Sequence, residues 1–155
     1  MPGRIDNKLK DIGITLPQAA IPLANYVPAV RTGNLLFIAG QLPLQDGVLS
    51  IEGKVGATVS VDQAITAARQ CALNIIAQTK LALGGDLDRV QRVVKLTGFV
   101  ACTPEFAQHP QVVNGASDVM GQIFGDAGRH ARAAVGCPSL PRNAPVEVEA
   151  VIEVS

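Results

Sequence analysis

The sequence predicts an α+β fold, a mixed β-sheet with two helices packed on one face. Three observations predict it. Two long stretches repeat apolar side chains at helical spacing, several shorter runs concentrate β-branched residues or alternate, and each of the two helical stretches is followed by a strand-like run. The order reads strand, strand, a short strand, helix, strand, helix, strand, strand, with no internal repeat and no linker.

The first 25 residues mix charges, Gly and Pro, and their spacing allows a short amphipathic helix around Asn7–Ile12. Tyr26–Arg31 and Leu35–Gln41 are apolar runs separated by Thr32-Gly33-Asn34, the pattern of a hairpin. In the second run Leu36 and Ile38 point one way, and Leu35, Phe37 and Ala39 the other. Asp46-Gly47 and Glu52-Gly53 place turns around a short strand near Val48–Ile51. Ser60-Val61-Asp62-Gln63 is a capping box that opens the first long helix. Its stripe is Ala64, Ile65, Ala68, Cys71, Ala72, Ile75 and Ile76, with Arg69, Gln70, Asn74 and Gln78 on the polar side. Gly84-Gly85 ends it. Cys71 lies within the stripe and reads as a small core residue rather than a reactive thiol.

Arg92–Cys102 is rich in β-branched residues and predicts a buried strand. Pro104–Phe124 predicts the second helix, with a stripe of Val113, Ala116, Met120, Ile123 and Phe124. A turn over Gly125–Gly128 leads to a strand at Ala131–Cys137. The Pro-rich loop Pro138–Pro145 precedes the alternating run Val146–Val154. There Val146, Val148, Ala150 and Ile152 share one face, while Glu147, Glu149, Val151 and Glu153 share the other.

A chain of 155 residues fits one domain over 1–155, residues 1–25 being an N-terminal extension. It is 48% hydrophobic but only 17% charged, against about 25% charged in an average soluble domain. No apolar run is long enough to span a bilayer, so a membrane is not expected to take up the surplus. A large subunit interface would cover it, and an oligomer is expected. Net charge is zero and aromatics make up 3%. With neither a basic stripe nor stacking platforms, nucleic acid is not an expected partner. Cys71, Cys102 and Cys137 have no metal-ligand or disulfide-framework spacing, and His109 and His130 have no partner at ligand spacing, so no metal is expected. His109, before Pro110 near a helix start, is expected to face solvent. The N-terminus carries no apolar signal core, which favours the cytoplasm.

No phosphate loop, dinucleotide fingerprint, zinc-protease motif or nucleophile elbow is present. Two features remain. Arg132 stands near the start of an apolar strand, where it must reach water or meet a carboxylate. Its planar fork suits bidentate pairing with an anionic ligand, and a structural ion pair fits equally well. Glu147 and Glu149 share one face of the last strand, where glutamates more often keep an outer face soluble.

In order along the chain these residues resemble the RidA/YjgF family. The family's early Tyr-x-x-Ala-Val appears as Tyr26-Val27-Pro28-Ala29-Val30, and its Gly-Asn, strand, Ser-Gly-Gln-x-Pro segment as Gly33 to Pro43, with Ala39 in place of Ser. The late signature, an Arg followed by Glu-x-Glu-Ala, appears as Arg132 and Glu147-Val148-Glu149-Ala150, with Leu140-Pro141 between them. The resemblance covers Tyr26 to Val154. It implies a chorismate-mutase-like fold assembled as a homotrimer with clefts between subunits, and no cofactor. Members with the arginine hydrolyse reactive 2-imino acids to 2-keto acids and ammonia. Carried over, Arg132 would clamp the substrate carboxylate and Glu147 would hold or polarise water. Tyr26 and Gly40 would line the cleft, and Asn114 would match a family asparagine.

The departures are Ala39 for Ser, and Ala133-Ala134 where Ser-Cys follows the arginine. The extension and the longer stretch before Arg132 place the chain in a divergent, longer subgroup. The leading expectation is a 2-iminobutanoate/2-iminopropanoate deaminase type of hydrolase. The alternative is a trimer that binds small carboxylates without turnover. A ribonuclease or translation inhibitor fits the charge and aromatic content poorly. A holdase would need an exposed apolar patch.

Overall fold

The computed structural model describes residues 1–155. After helix α1 (Arg4–Asp11) come strands β1 (Ala29–Thr32) and β2 (Leu35–Gln41) and the small hairpin β3 (Leu44–Gln45) and β4 (Val48–Leu49). Helix α2 (Val61–Ala82), strand β5 (Val90–Ala101), helix α3 (His109–Phe124), and strands β6 (Ala131–Cys137) and β7 (Val146–Val154) complete the chain. The main sheet runs β1-β2-β7-β5-β6. It is mixed, since β5 and β6 are parallel while the other pairs are antiparallel. The α+β prediction is therefore met.

The alternation written into β7 is what turns it into the middle strand. Val146, Val148, Ala150, Ile152 and Val154 are buried toward the helices, and the glutamates between them face away. They join a core cluster of 31 buried residues that includes Ile75 and Ile76 of α2 and Val113, Ala116 and Met120 of α3. The capping box at Ser60 forms as the sequence predicts, Ser60 Oγ accepting from Gln63 N and Gln63 Oε1 from Ser60 N. A cap of this kind contributes about 1 kcal/mol. Cys71 is fully buried.

Four expectations need correction. The second long helix starts at His109, not Pro104, because Cys102–Thr103 continues into a backbone bridge with Val55 and Thr103–Phe106 closes a turn. The amphipathic helix near the N-terminus covers Arg4–Asp11 rather than starting at Asn7, and buries Ile5 and Leu9. Asn74 and Gln78 are buried, not on a solvated face. Asn74 Nδ2 donates to the carbonyls of Leu42 and Leu44 at 2.9 Å each, and Gln78 Nε2 donates to Ala20 O at 2.6 Å. They tie the segments before and after the β1–β2 hairpin to α2. His109 is half-buried rather than solvent-facing, its ring 5.3 Å from and edge-on to Phe106.

The sheet face away from the helices is not covered within the chain. Val30, Leu35, Phe37 and Val135 stand exposed on it. No helix is long and apolar enough to cross a membrane.

Candidate functional site

Arg132 pairs in register with Leu96 of β5, which faces the helices, so its side chain emerges on the helix side at the sheet edge. There its Nη1 donates to Asn114 Oδ1 at 2.7 Å and to Ser117 Oγ at 3.2 Å, both on α3. The parallel pairing of β5 with β6 and the packing of α3 on them create this meeting. Ser117 is in turn held by His130, whose Nε2 lies 2.9 Å from Ser117 Oγ and whose Nδ1 lies 2.7 Å from Gly128 O. A carbonyl only accepts, so Nδ1 donates to Gly128 O, while Nε2 holds the serine hydroxyl. The serine oxygen is then turned to accept from Arg132. The chain's one ion pair joins Lys80 and Asp6, so Arg132 meets no carboxylate of its own chain. Its Nε and Nη2 stay free for a bidentate acceptor.

Glu147 lies elsewhere. It pairs in register with Phe99 between two helix-facing valines, and so projects from the opposite face of the sheet. β2 carries an extra residue between Ile38 and Gln41 where it runs beside β7, and this bulge turns Gly40 toward Glu147. A Cβ at Gly40 would collide with Glu147 Oε1, so only glycine leaves the carboxylate its place. Burial, and then the charge of Glu149, push the Glu147 carboxyl above the usual glutamate range. Tyr26 and Gly40 line a common cavity of about 290 Å³ with Ala39, Asn74 and Gln78. In its wall Gln78 Oε1 is buried without a hydrogen-bond partner.

Two groups of residues thus form. Arg132 and Asn114 meet, joined by Ser117 and His130, which sequence reading did not single out. Gly40, at the bulge, adjoins Glu147 and shares a cavity with Tyr26. Within one chain Arg132 and Glu147 leave opposite faces of the sheet and do not meet. Ala133 and Ala134 follow Arg132 along β6, and Ala134 packs against the core.

The family model described as YjgF/chorismate mutase-like, putative endoribonuclease, matches residues 6–154. The chain belongs to the RidA/YjgF family. Its likeness to protein TCP17 of Trypanosoma cruzi is 47% identity over 154 residues, 99% of this chain and 96% of that protein. A crystal structure of a protein of unknown function from Agrobacterium tumefaciens is 51% identical, covering 97% of this chain and 92% of the other with a TM-score of 0.91. A 2-iminobutanoate/2-iminopropanoate deaminase of Dermatophagoides farinae is more distant, at 27% identity over 91% of this chain and 94% of that enzyme. The RidA/YjgF assignment agrees with the residues from Tyr26 to Ala150 that carry the resemblance.

Proposed function

We propose that this RidA/YjgF protein is a homotrimer that hydrolyses small 2-imino acids to 2-keto acids and ammonia in clefts between subunits. The observation that carries the reading is the complementarity of the two groups. One presents a guanidinium with no carboxylate of its own. The other presents a carboxyl with raised proton affinity and no cation paired to it. Packing the uncovered apolar sheet face of one subunit against the β6 edge of the next would bury Val30, Phe37 and Val135 and bring one chain's Arg132 toward another's Glu147.

In that cleft Arg132 clamps the substrate carboxylate through Nε and Nη2 while Asn114 and Ser117 hold Nη1. Glu147 takes a proton from water as it adds to the imine carbon and passes it to the nitrogen. It then takes the hydroxyl proton of the carbinolamine and hands it to that nitrogen as the C–N bond breaks, the carbonyl forms and ammonia leaves. Addition of water to an imine is intrinsically easy, so positioning plus one acid–base group suffices. No cofactor enters the reaction.

A coupled assay tests this. An amino-acid oxidase supplies the imino acid, semicarbazide traps what is not hydrolysed, and keto acid is measured. Wild type is expected to divert imine from the trap, and Arg132→Ala is not. Equal trapping with and without wild type, across several amino acids, would contradict turnover.

The second reading, a trimer that binds small carboxylates without turnover, draws support from Ala39, Ala133 and Ala134. They stand where the family pattern has polar groups. Arg132-dependent binding of a 2-keto acid without protection in the assay would select it.

A further inference from the structure

At the C-terminal ends of β5 and β6 a cleft of about 580 Å³ opens that plays no part in the proposed imine chemistry. Lys54, Cys102, Phe106, His109 and Cys137 are among the residues that line it. Cys102 Sγ lies 3.4 Å from His109 Nε2. Both groups are fixed from below. Cys102 N donates to Cys137 O at 3.1 Å and Cys102 bridges Val55, while His109 is the first residue of α3 and rests against Phe106. Gly136 makes the approach feasible: a Cβ there would lie 2.5 Å from His109 Nε2 and 2.8 Å from Cys102 Sγ.

A thiol becomes a nucleophile where a base can take its proton and no carboxylate opposes the thiolate. This cleft has the imidazole, a lysine and no Asp or Glu in its wall. The other two thiols are placed differently. Cys71 is fully buried, and burial together with Cys102 and Glu147 pushes the Cys137 thiol up.

We propose that Cys102 and His109 form a covalent modification site for small α,β-unsaturated carbonyl compounds. His109 Nε2 takes the thiol proton and Cys102 Sγ bonds to the β-carbon. The π pair moves to the α-carbon, which takes the proton back from the imidazolium. Nothing leaves, and nothing is oxidised or reduced. Pro104, Phe106 and Pro138 give the carbon skeleton an apolar wall, and Lys54 supplies the positive charge facing the carbonyl end.

The test is acrylamide labelling of the full-length protein near neutral pH, with adducts located by peptide mass spectrometry and glutathione in the same tube as a rate standard. Cys102 is expected to react about tenfold faster than glutathione or more. His109→Gln is expected to bring it down to the glutathione rate. Cys71 reports on folding, since it stays unlabelled while the core is intact. If His109→Gln exposes Cys71, Gly136→Ala replaces it. That variant keeps both reactive groups, pushes them apart, and is expected to slow Cys102 several-fold. Labelling of wild-type Cys102 no faster than glutathione, labelling of Cys137 first, or an unchanged Cys102 rate in a folded variant would overturn the proposal.

Discussion

Arg132 uses one terminal nitrogen on Asn114 and Ser117 and keeps the other edge of its fork open. A lysine could reach one of those acceptors but could not also offer two parallel donors to a carboxylate. Arg132→Lys is therefore expected to weaken binding of a small 2-keto acid by about tenfold or more, since hydrogen bonds to charged groups contribute about 1.5–3 kcal/mol each. Calorimetric titration checks this, and an unchanged Kd would remove the clamp. Glu147 gives a prediction with a sign. Its carboxyl is raised by burial and by Glu149, so it ionises only above the ordinary glutamate range. Activity that needs the ionised form should then show an acid limb above that range, and Glu147→Gln should lose both the activity and the limb. The same shift means that stability contributed by the protonated carboxyl is lost as pH rises through the raised value. Glu147→Gln should thus be at least as stable as wild type at neutral pH by urea unfolding. Arg132 and Glu147 were legible because each is a charge set in an apolar strand. Ser117 and His130 were not, because their link depends on the turn after α3 folding back onto it. The Cys102–His109 pair was hidden for the same kind of reason, as the six intervening residues include a turn that no periodicity marks.

At the scale of elements, α1 is tied down by a residue far away in sequence. Asp88 accepts from the backbone N–H of Arg4 at 2.7 Å and of Ile5 at 2.8 Å, the first N–H groups of that helix. These two bonds, that of Ile5 first, hold the Asp88 carboxyl below its usual value. The contribution is complete above the ordinary aspartate range and is lost as pH falls through the depressed pKa. Amide exchange should show α1 losing protection in acid, and Asp88→Asn should loosen it already at neutral pH. Equal protection of α1 in that variant would contradict the role. Strands β6 and β7 were readable to the residue, since their ends coincide with loops rich in Gly or Pro. The start of α3 was not, because Pro104 mimics a first-turn proline while Thr103 is committed to Val55 across the fold. The polar residues of α2 misled in a similar way. Asn74 and Gln78 face not water but the backbone carbonyls of a crossing segment, and only tertiary structure reveals that.

At the scale of the molecule, the surplus of apolar residues read from composition reappears as an uncovered sheet face. Val30, Leu35, Phe37 and Val135 point outward on it. Sequence alternation showed which residues point outward, but could not show that Arg132 and Glu147 leave the sheet on opposite sides. That separation is the central feature of the proposed site, for it requires two chains to complete one cleft. The direct test is subunit complementation. Arg132→Ala and Glu147→Gln chains are each inactive in the imine assay, and are then dissociated, mixed equally and reassembled, with mixed trimers verified by native mass spectrometry. A cleft drawing its arginine and its glutamate from different subunits is intact in about a quarter of random pairings. The mixture should recover about that share of wild-type activity. Verified mixed trimers as inactive as either parent would contradict a site shared between subunits.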